Sequence, residues 1–410
     1  MRESLGRADL VCLGLNCVVG SGIFLAPGSI AKNLGPASVP AIALAAALCL
    51  MIALCFAEMA ATIEGTGGAF LYCTEAFGPR PGFMVGWVMW LSGLIGGASV
   101  AVGLGQYVHE LWRAIPATAV ALVTVGLLAL LNYFGARAGA LSNDILALLK
   151  FVPLVLFAAW ALSRVAPSRV VGLPQGEDHL LGFLLILYAF SGFEWLAVPA
   201  GEVSEPQKSV PFALTTVLAL AAVLYMAIQA GVVSLGLHGS DAPLAEAAKG
   251  TWLAGLVTFG GLASIASVNA AIAFTGPRSL WALAHQGWLP EWLARRHPSL
   301  DSPAHAVLAT SAATAALVVI GNFELLARCT VLVSLLQYVA TIGAVIRLRF
   351  TQPARPRPYR LPGGLTIPIL ALSVCVLLLA TSQLQYIVGM AVALAAGWVL
   401  SFFGKARRAS

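Results

Sequence analysis

The chain has 410 residues, of which 60% are hydrophobic and only 10% are charged, with a formal net charge of +6 and a mean hydropathy of +0.90. Soluble domains carry about 25% charged residues, so this composition excludes a soluble globular protein and predicts one embedded in a lipid bilayer. No stretch rich in lysine and arginine with interleaved aromatic residues is present, which argues against a nucleic-acid partner.

Apolar segments long enough to cross a bilayer as helices, about 20 residues each, recur along the whole sequence. They predict an all-α membrane protein with about twelve transmembrane helices. The twelve segments lie near residues 9–31, 37–62, 81–108, 115–133, 144–163, 180–200, 211–236, 251–275, 304–321, 326–346, 367–383 and 385–403.

The first span is interrupted by Gly20-Ser21-Gly22, which Ile23 and Pro27 follow. Backbone groups at bilayer depth need a partner in the protein, a solute or a water-filled cavity, because hydrocarbon offers none. A half-helix that begins at this break presents unpaired N–H groups and the positive end of its dipole, which suits a carboxylate. The alternative is an ordinary glycine pair in a membrane helix, where glycine is common.

Small residues follow one another at four-residue steps in the third span, at Gly93, Gly97, Ala101 and Gly105. Such a ridge lets another helix approach closely, so packing is the favoured interpretation. Gly93 or Gly97 would also leave room for a ligand.

The sixth span carries a second break, Tyr188-Ala189-Phe190-Ser191-Gly192-Phe193-Glu194, with Pro199 after it. Interrupted spans at matching positions of two halves are the best sequence indication of a transporter's central binding site. Exposed carbonyls of residues 188–191 would accept hydrogen bonds from an ammonium group. Carboxylate-binding N–H groups opposite ammonium-binding carbonyls match a zwitterion, which predicts an α-amino acid as the ligand.

Ionisable residues inside spans are rare and are candidates for function. Glu194 follows the second break, where it either takes part in proton-sensitive chemistry or caps the helix end. Lys150 lies about two turns into the fifth span, where its long stem either reaches back to the interface or holds a buried, titrating amine. We expect Glu58 and Glu64, near the end of the second span, at the membrane interface.

The distribution of basic residues predicts the orientation. With the N-terminus in the cytoplasm, most of the 23 lysines and arginines fall in cytoplasmic segments, as the positive-inside rule requires. We therefore predict an integral, multi-pass protein of a bacterial-type cytoplasmic (inner) membrane, with both termini in the cytoplasm.

Sequence signatures of enzymes are absent. There is no phosphate-binding loop, zinc-protease motif or nucleophile elbow, the six histidines are scattered and the seven cysteines form no Cys-x-x-Cys pair. We expect no enzymatic activity, no metal and no cofactor, so that a proton gradient or a counter-substrate supplies the energy. A channel would need a charged ring or a filter-like sequence, and neither is evident.

Six groups of motifs, in this order, resemble the amino acid–polyamine–organocation superfamily of secondary transporters. They are Gly20-Ser21-Gly22-Ile23-Phe24 with Leu25-Ala26-Pro27, Ala57-Glu58-Met59-Ala60-Ala61 leading to Gly65-Thr66-Gly67-Gly68-Ala69, Phe77-Gly78-Pro79, Leu131-Asn132-Tyr133-Phe134-Gly135, Tyr188-Ala189-Phe190-Ser191-Gly192-Phe193-Glu194 with Glu202 and Glu205-Pro206, and Gly287-Trp288-Leu289-Pro290. Each match alone is weak, whereas their order along the chain is specific.

The resemblance implies a fold of the LeuT type with spans 1 and 6 broken. The first five-helix repeat would cover residues 1–165, the inverted second repeat 166–350, and a basic loop with two peripheral helices 351–410. In such carriers the carboxylate of the amino acid meets the backbone of Ser21-Gly22-Ile23. The amino group meets carbonyls around Val19-Gly20 and in the segment Ala189-Phe190-Ser191-Gly192.

The resemblance also implies roles for single side chains. Tyr188 stands where related antiporters have a bulky aromatic gate. Lys150 matches a lysine of the fifth span that takes the place of a sodium ion in proton-linked members. Glu194 matches a carboxylate implicated in proton-sensitive transport.

Three positions depart from the arginine/agmatine antiporters of this superfamily. Met89 and Gly97 stand in place of a tyrosine and an asparagine of span 3, and Ile272 replaces a tryptophan of span 8. These positions form the implied side-chain subsite, which is apolar here and has no evident acidic partner for a cationic substrate.

The sequence therefore predicts a secondary active transporter that moves amino acids, favouring neutral or apolar ones, by alternating access, with proton coupling or exchange. A cationic amino acid or polyamine antiporter is the nearest alternative. The partners implied are a small amino acid and the lipid bilayer, and the sequence leaves the oligomeric state open.

Overall fold

The structure is a computed structural model that describes residues 6–63, 65, 67–134, 142–170, 172–198, 203–297 and 302–403, without the side chains of 142–149 and 403. Within these ranges the chain is helical, with short 3-10 turns and no β-strand. In chain order the helices are α1 (Arg7–Val18), α2 (Ser21–Leu25), α3 (Pro27–Leu34), α4 (Ser38–Thr62), α5 (Ala69–Phe77), α6 (Pro79–Leu111), α7 (Ala117–Tyr133), α8 (Ser142–Leu162), α9 (Pro167–Val170), α10 (His179–Phe190), α11 (Pro206–Ser234), α12 (Pro243–Ala248), α13 (Ala254–His285), α14 (Ala304–Ile320), α15 (Phe323–Thr351), α16 (Thr366–Ala380) and α17 (Leu384–Phe403).

The described helices confirm the prediction of an all-α membrane protein. Eight helical segments are long and apolar enough to cross a membrane, and four shorter apolar helices lie at the remaining predicted spans. Several helices are longer than the apolar segments that predict them, since α13 continues to His285 and α15 to Thr351. These additional turns carry polar and basic residues, which hydropathy assigns to loops.

Local sequence explains where several helices begin. Asp178 caps α10, because its Oδ1 accepts a hydrogen bond of 2.8 Å from the N–H of Leu181, and Asn322 caps α15 through Leu325 at 2.9 Å. Proline stands in the first turn of α3, α6, α11 and α12. An N–H at this position has no acceptor within the helix, so its absence in proline costs no hydrogen bond.

Helix α6 lies in the middle of the molecule and packs against α7, α13 and α15, while α11 packs along α4 and α1. The small residues of α6 permit these contacts. A Cβ on Gly105 would overlap the carbonyl of Ala117 at the start of α7, and a Cβ on Gly97 would lie 3.1 Å from Cγ2 of Ile272 in α13. At Gly97 and Gly105 the ridge in span 3 therefore serves close helix packing, whereas a Cβ on Gly93 would meet nothing within 4 Å.

Glu58, expected at the membrane interface, is buried inside the protein near the end of α4. Its side chain is 2% exposed, and its carboxylate accepts a hydrogen bond of 2.9 Å from Nε of Arg349 and a second from Nη2 of that residue. The N–H of Leu361 also donates to it at 2.9 Å. Glu58 therefore ties the ends of α4 and α15 to the loop that follows α15. Glu64, which the sequence also predicts at the membrane interface, lies outside the described residues.

A second ion pair, partly buried, lies at the opposite end of α15. Arg328, 5% exposed, pairs with Asp178 at the start of α10, and its guanidinium lies 5.1 Å from the ring centroid of Tyr386 in α17. Because Asp178 also caps α10, this pair fixes the entry of the helix that leads to the second break.

Helices α16 and α17 pack on the outside of the bundle. Helix α16 contacts α15 and α4, and α17 contacts α6, where Nε1 of Trp87 donates a hydrogen bond of 2.9 Å to the carbonyl of Ala393. The division into repeats at residues 1–165, 166–350 and 351–410 stays a prediction.

Candidate functional site

The first break lies between α1 and α2. Helix α1 ends at Val18, and Val19 (ψ 86°) and Gly20 (ψ −137°) leave the helical conformation before Ser21 starts α2. The interruption is thus centred one residue before the predicted Gly20-Ser21-Gly22. As a consequence, Ser21, Gly22 and Ile23 form the first turn of a helix, whose N–H groups have no intrahelical acceptor.

The second break lies after α10. Helix α10 ends at Phe190, Ser191 has extended ψ (147°) and Gly192 has a positive φ of 115°, a conformation that favours glycine. A 3-10 turn, Phe193–Ala197, continues the span. The carbonyl of Tyr188 accepts a hydrogen bond of 3.1 Å from the N–H of Ser191, and that of Ala189 accepts one from a tyrosine of α11. The carbonyls of Phe190 and Ser191 accept no hydrogen bond from the described residues.

The two breaks are in direct contact. A Cβ added to Gly22 would lie 2.7 Å from the Cα of Ala189, and one added to Gly192 would overlap the carbonyl of Cys17. No side chain can be accommodated at either point without a backbone shift, so glycine is required at both. The structure therefore brings together the two segments that the sequence predicts as one site.

Tyr225 of α11 bridges both breaks through its hydroxyl. This oxygen lies 2.9 Å from the carbonyl of Val18 and 3.0 Å from that of Ala189. One hydroxyl hydrogen serves both acceptors. The Ala189 carbonyl, predicted to accept from an ammonium group, thus already has a donor within the protein.

Lys150 is buried beside the first break. Its side chain is 2% exposed, and Nζ donates a hydrogen bond of 2.9 Å to the carbonyl of Asn16, in the last turn of α1. A cation at the C-terminal end of a helix is favourably placed in the field of that helix. The side chain thus connects α8 to the break and does not extend to the membrane interface.

Glu194 takes the position of a helix-break cap. Its Oε2 accepts hydrogen bonds from the N–H of Gly192 at 3.0 Å and from the hydroxyl of Tyr338 at 3.1 Å. The ring of Tyr338 packs beside those of Phe193 and Phe56, with centroids 5.5 and 6.1 Å apart. The carboxylate is 5% exposed, and among the described residues no cation pairs with it.

Tyr188 lies between the first break and α15. Its side chain faces the hydroxyl groups of Ser21 and Ser99, and its ring meets that of Phe323 edge-on with centroids 5.6 Å apart. It is buried. The aromatic side chain therefore covers the first turn of α2 from the side of α15.

The three predicted side-chain positions are only partly brought together. Gly97 and Ile272 are in contact, and Val268, one turn before Ile272, packs against Gly20. Met89 is buried in the main core but lies eight residues before Gly97 in α6, about 12 Å along the helix axis.

The arrangement provides hydrogen-bond donors and acceptors for a small zwitterion. The N–H groups at the start of α2 suit a carboxylate, and the carbonyls of Phe190 and Ser191 suit an ammonium group. Within the described part of the chain, no three histidine, cysteine, aspartate or glutamate side chains gather in a way that could hold a metal ion.

Sequence reasoning missed four residues that shape the site: Cys17, Tyr225, Val268 and Tyr338. A polar tip within an apolar span, as in Tyr225 and Tyr338, is a signal, because such a group needs a partner in the membrane. Cys17 and Val268 act through backbone and methyl contacts and give no signal in the sequence.

Comparison with known proteins shows which family the sequence belongs to. The family model described as "Amino acid permease" matches residues 5–402. The branched-chain amino acid permease BcaP of Bacillus subtilis is 28% identical over 431 aligned residues, covering 98% of this chain and 93% of the relative. The methylthioribose transporter of the same organism is 26% identical, covering 92% and 87%.

Human cationic amino acid transporter 4 is 29% identical over 389 aligned residues, which cover 87% of this chain and 61% of the longer relative. These relatives are named as transporters or permeases, in agreement with the broken membrane helices and the motifs that surround them. The chain is a multi-pass membrane protein that belongs to the amino acid permease family, within the amino acid–polyamine–organocation superfamily.

Proposed function

We propose that this permease moves neutral amino acids by alternating access, with proton coupling or exchange as the driving force. The observation that carries the proposal is the contact between Gly22 and Ala189. This contact holds a free helix N-terminus beside carbonyls that accept no hydrogen bond from the described residues. A zwitterion that binds to both connects α2 with the second break, so that the two broken spans can rock together.

The neutral substrate class is supported by the surroundings of the predicted side-chain subsite. Gly97 and Ile272 line a cavity whose lining residues carry no charge. The buried carboxylate near the breaks, Glu194, already accepts from Gly192 and Tyr338. A branched-chain amino acid permease among the relatives supports the same class, whereas the human relative named for cationic amino acids supports the rival.

The proposed proton linkage rests on Lys150. An ammonium group at the Asn16 carbonyl holds the end of α1 in place, and loss of its proton removes the positive charge from that contact. Proton transfer at this residue would then change how firmly α8 holds the first break. Neither a metal nor an organic cofactor is part of this proposal.

Uptake by the purified protein in liposomes tests substrate and driving force together. We expect labelled alanine or leucine to accumulate when the outside is acidic, or to exchange with internal amino acid. Unlabelled leucine and alanine should compete, and arginine and putrescine should not. Competition by arginine or putrescine alone would contradict the neutral class and favour the cationic antiporter.

We further propose that the protein resides in a bacterial-type cytoplasmic membrane with both termini in the cytoplasm. Reporter fusions at the C-terminus test this orientation. We expect activity from a reporter that functions only in the cytoplasm, whereas activity from one that functions only outside would contradict it.

A further inference from the structure

A basic corner lies at the end of the bundle where α5 turns into α6 and where α15 and α17 end. There the guanidinium of Arg80, at the start of α6, lies 5.6 Å from the ring centroid of Phe402 in α17. That of Arg347 in α15 lies 5.5 Å from the ring centroid of Phe77, the last residue of α5. We call these four residues the basic corner. An aromatic ring attracts a guanidinium through its negative face and leaves the N–H groups free for other partners.

Within the described part of the chain, the two arginines of the basic corner have no anionic partner. Both residues are exposed, and neither guanidinium forms an ion pair or a hydrogen bond with another described residue. Glu75, the acidic residue of α5, is already paired with Arg355 at 2.8 Å. The positive-inside rule accounts for basic residues at this end, but it requires no contact with aromatic rings. The N–H donors of both guanidinium groups therefore remain open to an anion.

Contacts between α6 and α17 set the position of Phe402 against Arg80. Nε1 of Trp87, two turns after Arg80, donates a hydrogen bond of 2.9 Å to the carbonyl of Ala393. A Cβ on Gly397 would overlap the same indole ring, so the two helices approach closely there. The aromatic partner of Arg80 is therefore held by helix packing and not by the arginine alone.

The outer face of α17 is apolar and ends at the basic corner. Four exposed side chains lie on this face at helical spacing, Val388, Val392, Val399 and Phe402. Phe350, in the last turn of α15, is exposed as well. An amphiphile with an anionic head and apolar chains matches this surface, whereas an inorganic anion would use only its charged end.

We propose that the basic corner binds the phosphate of an anionic phospholipid, whose acyl chains lie along the apolar face of α17. Two cationic groups complement a headgroup that carries a net negative charge, whereas a zwitterionic headgroup brings its own cation to the same place. With both termini in the cytoplasm, as proposed above, the corner faces the cytoplasmic leaflet, which carries anionic lipids. The lipid is a bound partner and not the transported substrate, so this inference goes beyond the proposed function.

Native mass spectrometry of the purified protein tests the site, with phosphatidylglycerol and phosphatidylcholine of identical acyl chains as ligands. We expect the protein to bind phosphatidylglycerol about 25-fold more tightly, since each arginine near a membrane surface contributes about fivefold. Arg80→Gln and Arg347→Gln should each lower the affinity for phosphatidylglycerol about fivefold, and together they should remove the preference. The single variants serve where the double variant is poorly recovered. Equal binding of the two lipids by the wild-type protein, or an unchanged preference in both single variants, would overturn the proposal.

Two further variants separate a defined site from charge alone. Arg295→Gln removes an exposed arginine of the loop between α13 and α14 that is stacked on no aromatic ring within the described residues. It should change the affinity less than about twofold, because salt screens the attraction of a distant exposed charge. Phe402→Ala keeps every charge and should lower the affinity about threefold, because it removes the ring beneath Arg80. A loss in Arg295→Gln as large as in Arg80→Gln, or displacement of the lipid by inorganic phosphate, would contradict a phospholipid site.

Discussion

The two breaks are built differently, although each interrupts a membrane span. The first break takes its partners from other helices: Lys150 of α8 donates to Asn16, Tyr225 of α11 lies at Val18, and Val268 of α13 packs on Gly20. At the second break, much of the capping comes from the segment itself. Ser191 Oγ donates to the Leu187 carbonyl at 3.0 Å, and Glu194 accepts from Gly192.

This difference indicates which break can be controlled from a distance. A segment capped by its own side chains keeps its shape when neighbouring helices move, whereas one held by three other helices responds to each of them. We therefore expect changes in α8 to alter transport through the first break. We expect the second break to form the more rigid wall of the site.

The largest expected effect follows from separating the two breaks. Gly22→Ala places a methyl group 2.7 Å from the Cα of Ala189, so the backbones must move apart. A displacement of about 1 Å in such a site lowers rates on the order of 100-fold, and we expect that loss of uptake in proteoliposomes. Gly126→Ala, at a glycine of α7 with no neighbour within 4 Å, is the control. Uptake equal to that of the control would show that the contact is not needed.

Removing the hydrogen bond by which Lys150 of α8 supports the first break should have the next largest effect on uptake. Lys150→Ala deletes the donor to Asn16, and a hydrogen bond from a charged group contributes about 1.5–3 kcal/mol. We expect uptake to fall about tenfold or more and to lose its dependence on the pH gradient. Lys208→Ala removes an exposed lysine paired with Glu205 and should change uptake less than twofold. An unchanged pH dependence in Lys150→Ala would remove this residue from proton coupling.

Removing the Tyr225 hydroxyl, which bridges the two breaks, should have a smaller effect on transport. Tyr225→Phe keeps the ring, which packs against Phe190 with centroids 5.0 Å apart, and removes only the hydroxyl. Hydrogen bonds between membrane helices contribute about 0.6 kcal/mol on average, so we expect apparent substrate affinity to change about threefold. Concentration-dependent exchange measures this change. A loss as large as that of Gly22→Ala would mean that the hydroxyl holds both breaks in place.

The smallest effect on affinity is expected within the self-capped break. Glu194→Gln retains a side-chain oxygen that can accept from Gly192 and Tyr338 but removes the titratable group. We expect apparent affinity within about twofold of wild type and a changed pH profile of uptake. Initial rates between acidic and neutral pH measure this profile. A change in affinity with an unaltered profile would assign Glu194 a purely structural role as a cap.

Much of the fold follows from the sequence, because the bilayer imposes a simple rule on it. Apolar segments of sufficient length become helices, which predicts the twelve spans. Glycine and serine where helices break, as at Gly20 and Gly192, mark where backbone groups leave the helix. Glu58 shows the limit of this reasoning, since its position near the end of an apolar span does not reveal that its carboxylate is buried and paired with Arg349.

The sequence by itself determined the class of protein, the positions of the two breaks and the permease family, since these depend on local composition and short motifs. The partners of the breaks were decided by the tertiary structure. Tyr225 is 36 residues from Ala189 and 207 from Val18, and Tyr338 is 144 residues from Glu194. No local pattern encodes contacts over such separations, because they arise only when packed helices bring single hydrogen-bonding groups within about 3 Å.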